Sequence, residues 1–150
     1  MKISVLLPYK ENYTPLNAGA VSLFVKDMNN VSYFKNSTFI FGNTSSNKKL
    51  SKNYINLDLK KKILHSTSKL YVESFLNKEK KINTDLIEIH NRPNYVKLIR
   101  NKISKKIILF FHNDPLTMNG SKSNNERIYL LNNVDKIIFN SNWSKKRFFL

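Results

Sequence analysis

The feature that most constrains this chain is an alternation: short apolar runs of strand length take turns with stretches of helical periodicity. Ile3-Ser4-Val5-Leu6-Leu7 is β-prone and closed by Pro8. After a polar loop from Tyr9 to Asn17, Gly19 precedes Val21, Phe24, Val25 and Met28, which share one face of a helix. Thr38 to Phe41 reads as the next strand, ended by Gly42-Asn43. Thr44 to Asn53 is a polar loop, and Tyr54 to Leu57 a short strand. Lys60 to Lys81 reads as a longer helix with Leu64, Ser68, Tyr71 and Phe75 on one face, beside Ile63, Leu70 and Leu76. Asp85 to His90 is a strand, and Pro93 suits the first turn of the helix after it. Ile107 to Phe111 is apolar on both faces, as central parallel strands are. Ser123-x-x-Glu126 has the form of a capping box before a helix carrying Ile128 and Leu131. Lys136 to Phe139 reads as another buried strand, and Ser141 as the cap of a last helix through Phe149.

Strand–helix alternation of this kind predicts an α/β fold: a Rossmann-like parallel sheet with helices on both faces and right-handed crossovers. The 150 residues suit one domain. The chain ends on Phe148-Phe149-Leu150, inside a predicted helix. That apolar end is expected either to continue into a second domain or to associate with another chain.

Composition narrows the function classes. With no cysteine, disulfides and thiolate metal sites are excluded. No apolar run approaches the length of a membrane span. The run Ile3 to Leu7 is too short for a signal peptide, so a cytoplasmic location is expected. The net charge of +16 admits nucleic-acid or anionic-membrane binding. However, it comes from 22 Lys and only 4 Arg, spread along a chain equally rich in Asn. Compositional bias explains that pattern better than base reading, which favours Arg, so no specific nucleic-acid partner is expected. The same bias explains triplets such as Asn36-Ser37-Thr38. The Lys-rich stretch from Lys60 to Lys81 is read as an ordinary solvated face. Its alternative is peripheral contact with an anionic inner membrane face.

In a parallel sheet of this type, ligands bind at the carboxyl ends of the strands. The polar residues there are the loop Pro8 to Gly19, the run His90-Asn91-Arg92-Pro93, the run His112-Asn113-Asp114, and Asn140-Ser141. Gly19 and Ala20 open a helix whose N-terminus favours an anion. A plain helix-start glycine is the equal alternative, since no G-x-G-x-x-G fingerprint is present. Arg92 has the planar fork that pairs with a phosphate or carboxylate, and Asn91 and Arg92 also suit a helix cap. Asp114 is a candidate general base, or a turn residue before Pro115. His65, His90 and His112 are the only histidines. Without an H-x-x-x-H or D-x-D run, no metal site is expected.

Three segments in order carry a resemblance. They are Asp85-Leu86-Ile87-Glu88-Ile89-His90-Asn91-Arg92-Pro93, the run Lys106 to Asp114, and Val134-Asp135-Lys136-Ile137-Ile138-Phe139-Asn140-Ser141 with Trp143 and Lys145. Together they resemble the N-terminal domain of family 4 glycosyltransferases, which have the GT-B fold. The resemblance implies transfer of a sugar from a nucleotide-sugar co-substrate to a carbohydrate or lipid-linked acceptor, without a further cofactor. It implies a catalytic role for His112 near the donor sugar, with Asp114 beside it. A donor phosphate is expected at Gly19 and Ala20, and the acceptor at His90, Asn91, Arg92 and Asn113. From position alone, a structural histidine hydrogen-bonded to backbone remains the other reading of His112. The donor-binding domain of the family is not among these residues, so little or no turnover is expected from them alone. The alternative is a non-catalytic Rossmann-like binding domain or an inactive fragment.

Overall fold

A computed structural model describes residues 1–59 and 66–150. Six parallel strands form one sheet in the order β3-β2-β1-β4-β5-β6. They are β1 (Ile3–Leu6), β2 (Thr38–Gly42), β3 (Tyr54–Asn56), β4 (Leu86–His90), β5 (Lys106–Phe111) and β6 (Lys136–Phe139). The helices are α1 (Ala20–Val31), α2 (Thr67–Ile82), α3 (Asn94–Arg100), α4 (Asn124–Asn133) and α5 (Asn142–Phe148). β1 pairs with β2 on one side and β4 on the other, Val5 lying between Ile40 and Glu88. The chain therefore winds outward in one direction from β1 to β3 and in the other from β4 to β6. The reversal between β1 and β4 creates the crevice in which such sheets hold ligands.

The two faces are covered unequally. α2, α3, α4 and α5 supply Tyr71, Phe75, Val96, Ile99, Leu130 and Phe148 to a core built on Ile87, Ile89, Ile107, Leu109 and Phe111. On the opposite face α1 alone packs Val21 and Val25 against Ile3, Val5, Leu7, Ile40 and Leu86. This explains why half of the predicted α1 stripe is not covered: Phe24 is 37% and Met28 53% exposed. Their side of the helix overhangs β4 and β5, where no second helix meets them among the described residues.

Local chemistry sets the helix starts. Ser123 and Glu126 form the full capping box of α4. Ser141 accepts from the Ser144 N–H to cap α5. Pro93 stands at the start of α3. The helix expected over Lys60 to Lys81 has Ser66 as its cap and runs from Thr67 to Ile82; residues 60–65 of that expectation lie outside the described residues. One burial expectation is corrected. β6 is an edge strand and only half-buried, because nothing pairs with its outer side among the described residues. In α4 the buried residues are Arg127 and Leu130, whereas Ile128 and Leu131 are exposed. The Arg127 guanidinium is buried because it donates to the carbonyls of Ser121 and Lys122 in the preceding loop.

A buried polar cluster ties the amino ends of the strands together. Glu79 of α2, 1% exposed, accepts from Ser4 Oγ at 2.5 Å and from the Thr84 N–H and Oγ at 3.0 Å. Lys105 Nζ lies 2.6 Å from the same carboxylate. A buried carboxylate is tolerated only when satisfied in this way.

Candidate functional site

The carboxyl ends of β1, β4, β5 and β6 open on one cleft of about 640 Å³. Pro8, Glu11, Ala20, Phe24, Asn91, Arg92, His112, Asn113 and Asn140 line it. All four polar strand ends singled out in the sequence therefore contribute to the same cleft.

Its centre is a pair of imidazoles. His90, the last residue of β4, and His112, the first after β5, are held side by side by the parallel register that places His90 beside Phe110. His90 Nδ1 and His112 Nε2 are 2.9 Å apart. The His90 ring stacks on Phe110 at 4.4 Å, and Phe24 of α1 meets His112 edge-on at 4.9 Å. Burial, followed by the neighbouring His90 ring, pushes His112 down from 6.5 to about 4. His112 is therefore a neutral imidazole at pH 7. It can exchange hydrogen bonds with a hydroxyl and carries no charge with which to hold a phosphate.

His90 itself is 1% exposed, with Nδ1 taken up by His112. It does not line the cleft as the expected acceptor contact, and meets it through His112, Phe24 and Phe110, which do. Asn91 is likewise buried. It sits in the left-handed region at φ 56°, a conformation Asn tolerates better than most residues. Its Oδ1 accepts from the His112 N–H at 3.3 Å, which pins the turn after β5. Asn140 Nδ2 donates to the His112 carbonyl at 2.7 Å from the β6 side. Arg92 is half-buried, donates one N–H to the Asn91 carbonyl at 2.7 Å, and lines the cleft. Asn113 is exposed at the cleft mouth.

Asp114 is engaged as an anchor. Arg147 of α5 grips its carboxylate through Nη2 at 2.9 Å and Nε at 3.2 Å, and the Leu116 N–H adds a bond at 3.0 Å. The Arg147 hydrogen bonds, with the Leu116 N–H, hold the carboxyl below its ordinary value. A carboxylate stabilised as an anion is a weaker proton acceptor than a free one.

The N-terminus of α1 is already supplied with an anion. Glu11 Oε1 accepts from the Ser22 N–H at 3.0 Å, in the first turn. Gly19, the cap, donates its own N–H to the Asn12 carbonyl. A Cβ at Gly19 would overlap the Glu11 carboxylate, so the glycine there admits an internal acid. Glu11, Glu88 and Arg147 are the site-shaping residues that sequence reading missed. Arg147 acts on Asp114, far from it along the chain, whereas Glu11, an acid shortly before a glycine-started helix, and Glu88, two residues before His90 on the same strand, left local signals.

Among the described residues, no three acidic or histidine side chains gather as a metal-ligand set.

No family model and no curated protein matches the sequence. Among solved structures, the chain is similar to a sucrose-phosphate synthase from Thermosynechococcus elongatus, with 13% identity and a TM-score of 0.64. The likeness covers 97% of this chain and 44% of that protein, and at this identity it concerns the fold.

Proposed function

We propose that this chain is the acceptor-side Rossmann-like half of a GT-B glycosyltransferase related to family 4. Such an enzyme moves a sugar from a nucleotide-sugar to a carbohydrate or lipid-linked acceptor. The carrying observation is the cleft at the strand ends, lined by a neutral His112, Arg92 and Asn113 and reaching the β1–β4 reversal at Pro8 and Asn91. The likeness in fold to a sucrose-phosphate synthase supports the same reading.

In this reading His112 offers a ring nitrogen to a sugar hydroxyl, and Arg92 and Asn113 receive the acceptor. Asp114, gripped by Arg147, fixes the loop that carries His112 and Asn113. A donor phosphate approaching Gly19 and Ala20 displaces the Glu11 carboxylate from the first turn of α1, because both anions need the same donors. The remaining catalytic groups belong to a second domain, so these residues by themselves turn over no nucleotide-sugar.

The experiment is binding to a panel of carbohydrates, lipid-linked sugars and nucleotide-sugars, comparing the chain with its Arg92→Ala and His112→Ala variants. A ligand from the panel is expected to bind, and each variant to weaken it about tenfold. Unchanged affinity in both variants, or release of nucleotide diphosphate by the isolated chain, overturns the proposal.

A further inference from the structure

The His90–His112 pair raises a question that its distance alone leaves open: which nitrogen carries which proton. The surroundings of His90 answer it. Its Nε2 is buried and meets no hydrogen-bond partner, and the nearest charged group is the Glu88 carboxylate, Oε2 at 3.7 Å. Glu88 and His90 are two residues apart on β4 and line the same small pocket, about 100 Å³, beneath α1. Asn29 lines that pocket too, and its Oδ1 is also buried without a partner. Ile3, Val5, Val25 and Phe110 add apolar surface; of the two hydroxyls that also line it, Thr38 Oγ1 donates to the Phe34 carbonyl and Ser32 Oγ accepts from the Phe34 N–H.

A carboxylate and an amide oxygen both attract an N–H and repel a lone pair. A neutral His90 ring therefore carries its one proton on Nε2, and Nδ1 is the bare nitrogen. At 2.9 Å a bare Nδ1 needs a donor opposite, so His112 Nε2 is protonated. Its other nitrogen, Nδ1, is then unprotonated, on a ring that lines the cleft.

We propose that Glu88 and His90 are positioning residues that fix the tautomer of His112. Glu88 keeps the proton of His90 on Nε2, His90 Nδ1 accepts the Nε2–H of His112, and His112 Nδ1 is left as a bare acceptor for a ligand hydroxyl. The identity of that hydroxyl as a sugar's rests on the proposed function; the proton arrangement does not. A bare Nδ1 accepts from a hydroxyl or an amine and has nothing to give a carboxylate or phosphate. The site thus selects a hydroxyl-bearing group at this contact over an anionic one. The depressed pKa of His112 agrees, since a neutral ring is required.

The test is two-bond ¹⁵N–¹H correlation on the full chain with ¹⁵N-labelled histidine at pH 7. Both His90 and His112 are expected neutral, each protonated on Nε2 and bare on Nδ1. A wild-type His112 protonated on Nδ1, or charged, overturns the proposal. In Glu88→Gln the side-chain amide can present either an oxygen or an N–H to His90. The Nδ1-protonated fraction of His112 is expected to rise several-fold, and Glu88→Asp, which keeps a carboxylate, to restore the single form. A His112 tautomer unmoved in Glu88→Gln also overturns it, and if that variant does not fold the wild-type spectrum still decides. No sugar enters these measurements. A chain with the expected tautomers that binds no carbohydrate or nucleotide-sugar contradicts the proposed function and leaves the relay standing.

Discussion

The Glu11 carboxylate sits on the first turn of α1, with Oε1 3.0 Å from the Ser22 N–H and against the Cα of Gly19. An acid from the loop after β1 thus serves as the side-chain cap that Gly19 lacks. The two residues depend on each other, and the dependence is measurable. Glu11→Ala removes the bond, and Gly19→Ala displaces the carboxylate that makes it. Each is expected to cost about 1 kcal/mol in urea unfolding. The double variant is expected to cost little more than either single one. Full additivity would show that Gly19 has a separate purpose.

The buried Glu79 cluster ties α2 to the amino ends of β1, β4 and β5. Glu79→Ala removes the acceptor of Ser4 Oγ and of the Thr84 N–H, and one of the three acceptors of Lys105 Nζ. A loss of about 3–5 kcal/mol is expected from denaturant unfolding. Lys105→Met, which keeps much of the packing but strands the carboxylate, is expected to destabilise comparably. A loss under about 1 kcal/mol in either variant would contradict the burial assigned to the pair.

His112 gives the chain a pH dependence whose sign follows from its direction of shift. Unfolded, the ring takes a proton near 6.5; folded, only at about 4. Between those values the unfolded state binds more protons, so stability falls as pH drops from about 6.5 towards about 4. The loss attributable to this ring is roughly 3 kcal/mol at most. Unfolding midpoints across this range should slope less steeply for His112→Asn than for the parent chain.

Arg147 controls the titration of Asp114. With the guanidinium in place, the carboxyl lies below its ordinary value. Arg147→Met is expected to return it towards that value, read by ¹³C NMR of the carboxyl, and to loosen α5 from the turn at Pro115–Thr117. Asp114 contributes stability that is lost only as pH falls through its lowered folded value, below the window set by His112. An unchanged Asp114 titration in Arg147→Met would assign the shift to the Leu116 N–H instead.

The parts legible in the sequence were those carried by local rules. Alternating periodicity located the strands, Ser123-x-x-Glu126 and Ser141 marked helix starts, and apolarity on both faces placed β5 inside the sheet. Strand order turned four separate polar segments into one cleft, as the strand-end rule anticipates. What escaped were relations set by the third dimension. Lys136 to Phe139 has the composition of a buried strand, but its place at the sheet edge decides its exposure. Phe24 and Met28 have the right spacing for a covered stripe, but among the described residues only one helix lies on that face. His90 ends a strand as a ligand-contacting residue would, yet the register buries it beneath Phe24 and beside Phe110. The partners Glu11 and Arg147 reach their targets through side-chain geometry that periodicity does not encode; Glu88 shares a face with His90 by the strand's own period of two, but its role depends on the burial of that face.

The central claim is that the cleft around His112 receives a sugar. Its most direct test is amide chemical-shift mapping of the ¹⁵N-labelled chain titrated with carbohydrate acceptors and nucleotide-sugars. The account predicts saturable shifts clustered at Arg92, His112, Asn113 and Asn140, with nucleotide-sugars also moving Ala20 and Ser22 as Glu11 is displaced. Shifts confined to other surfaces, such as the Lys105 end of the sheet, or no saturable shift with any of these ligands, would contradict it.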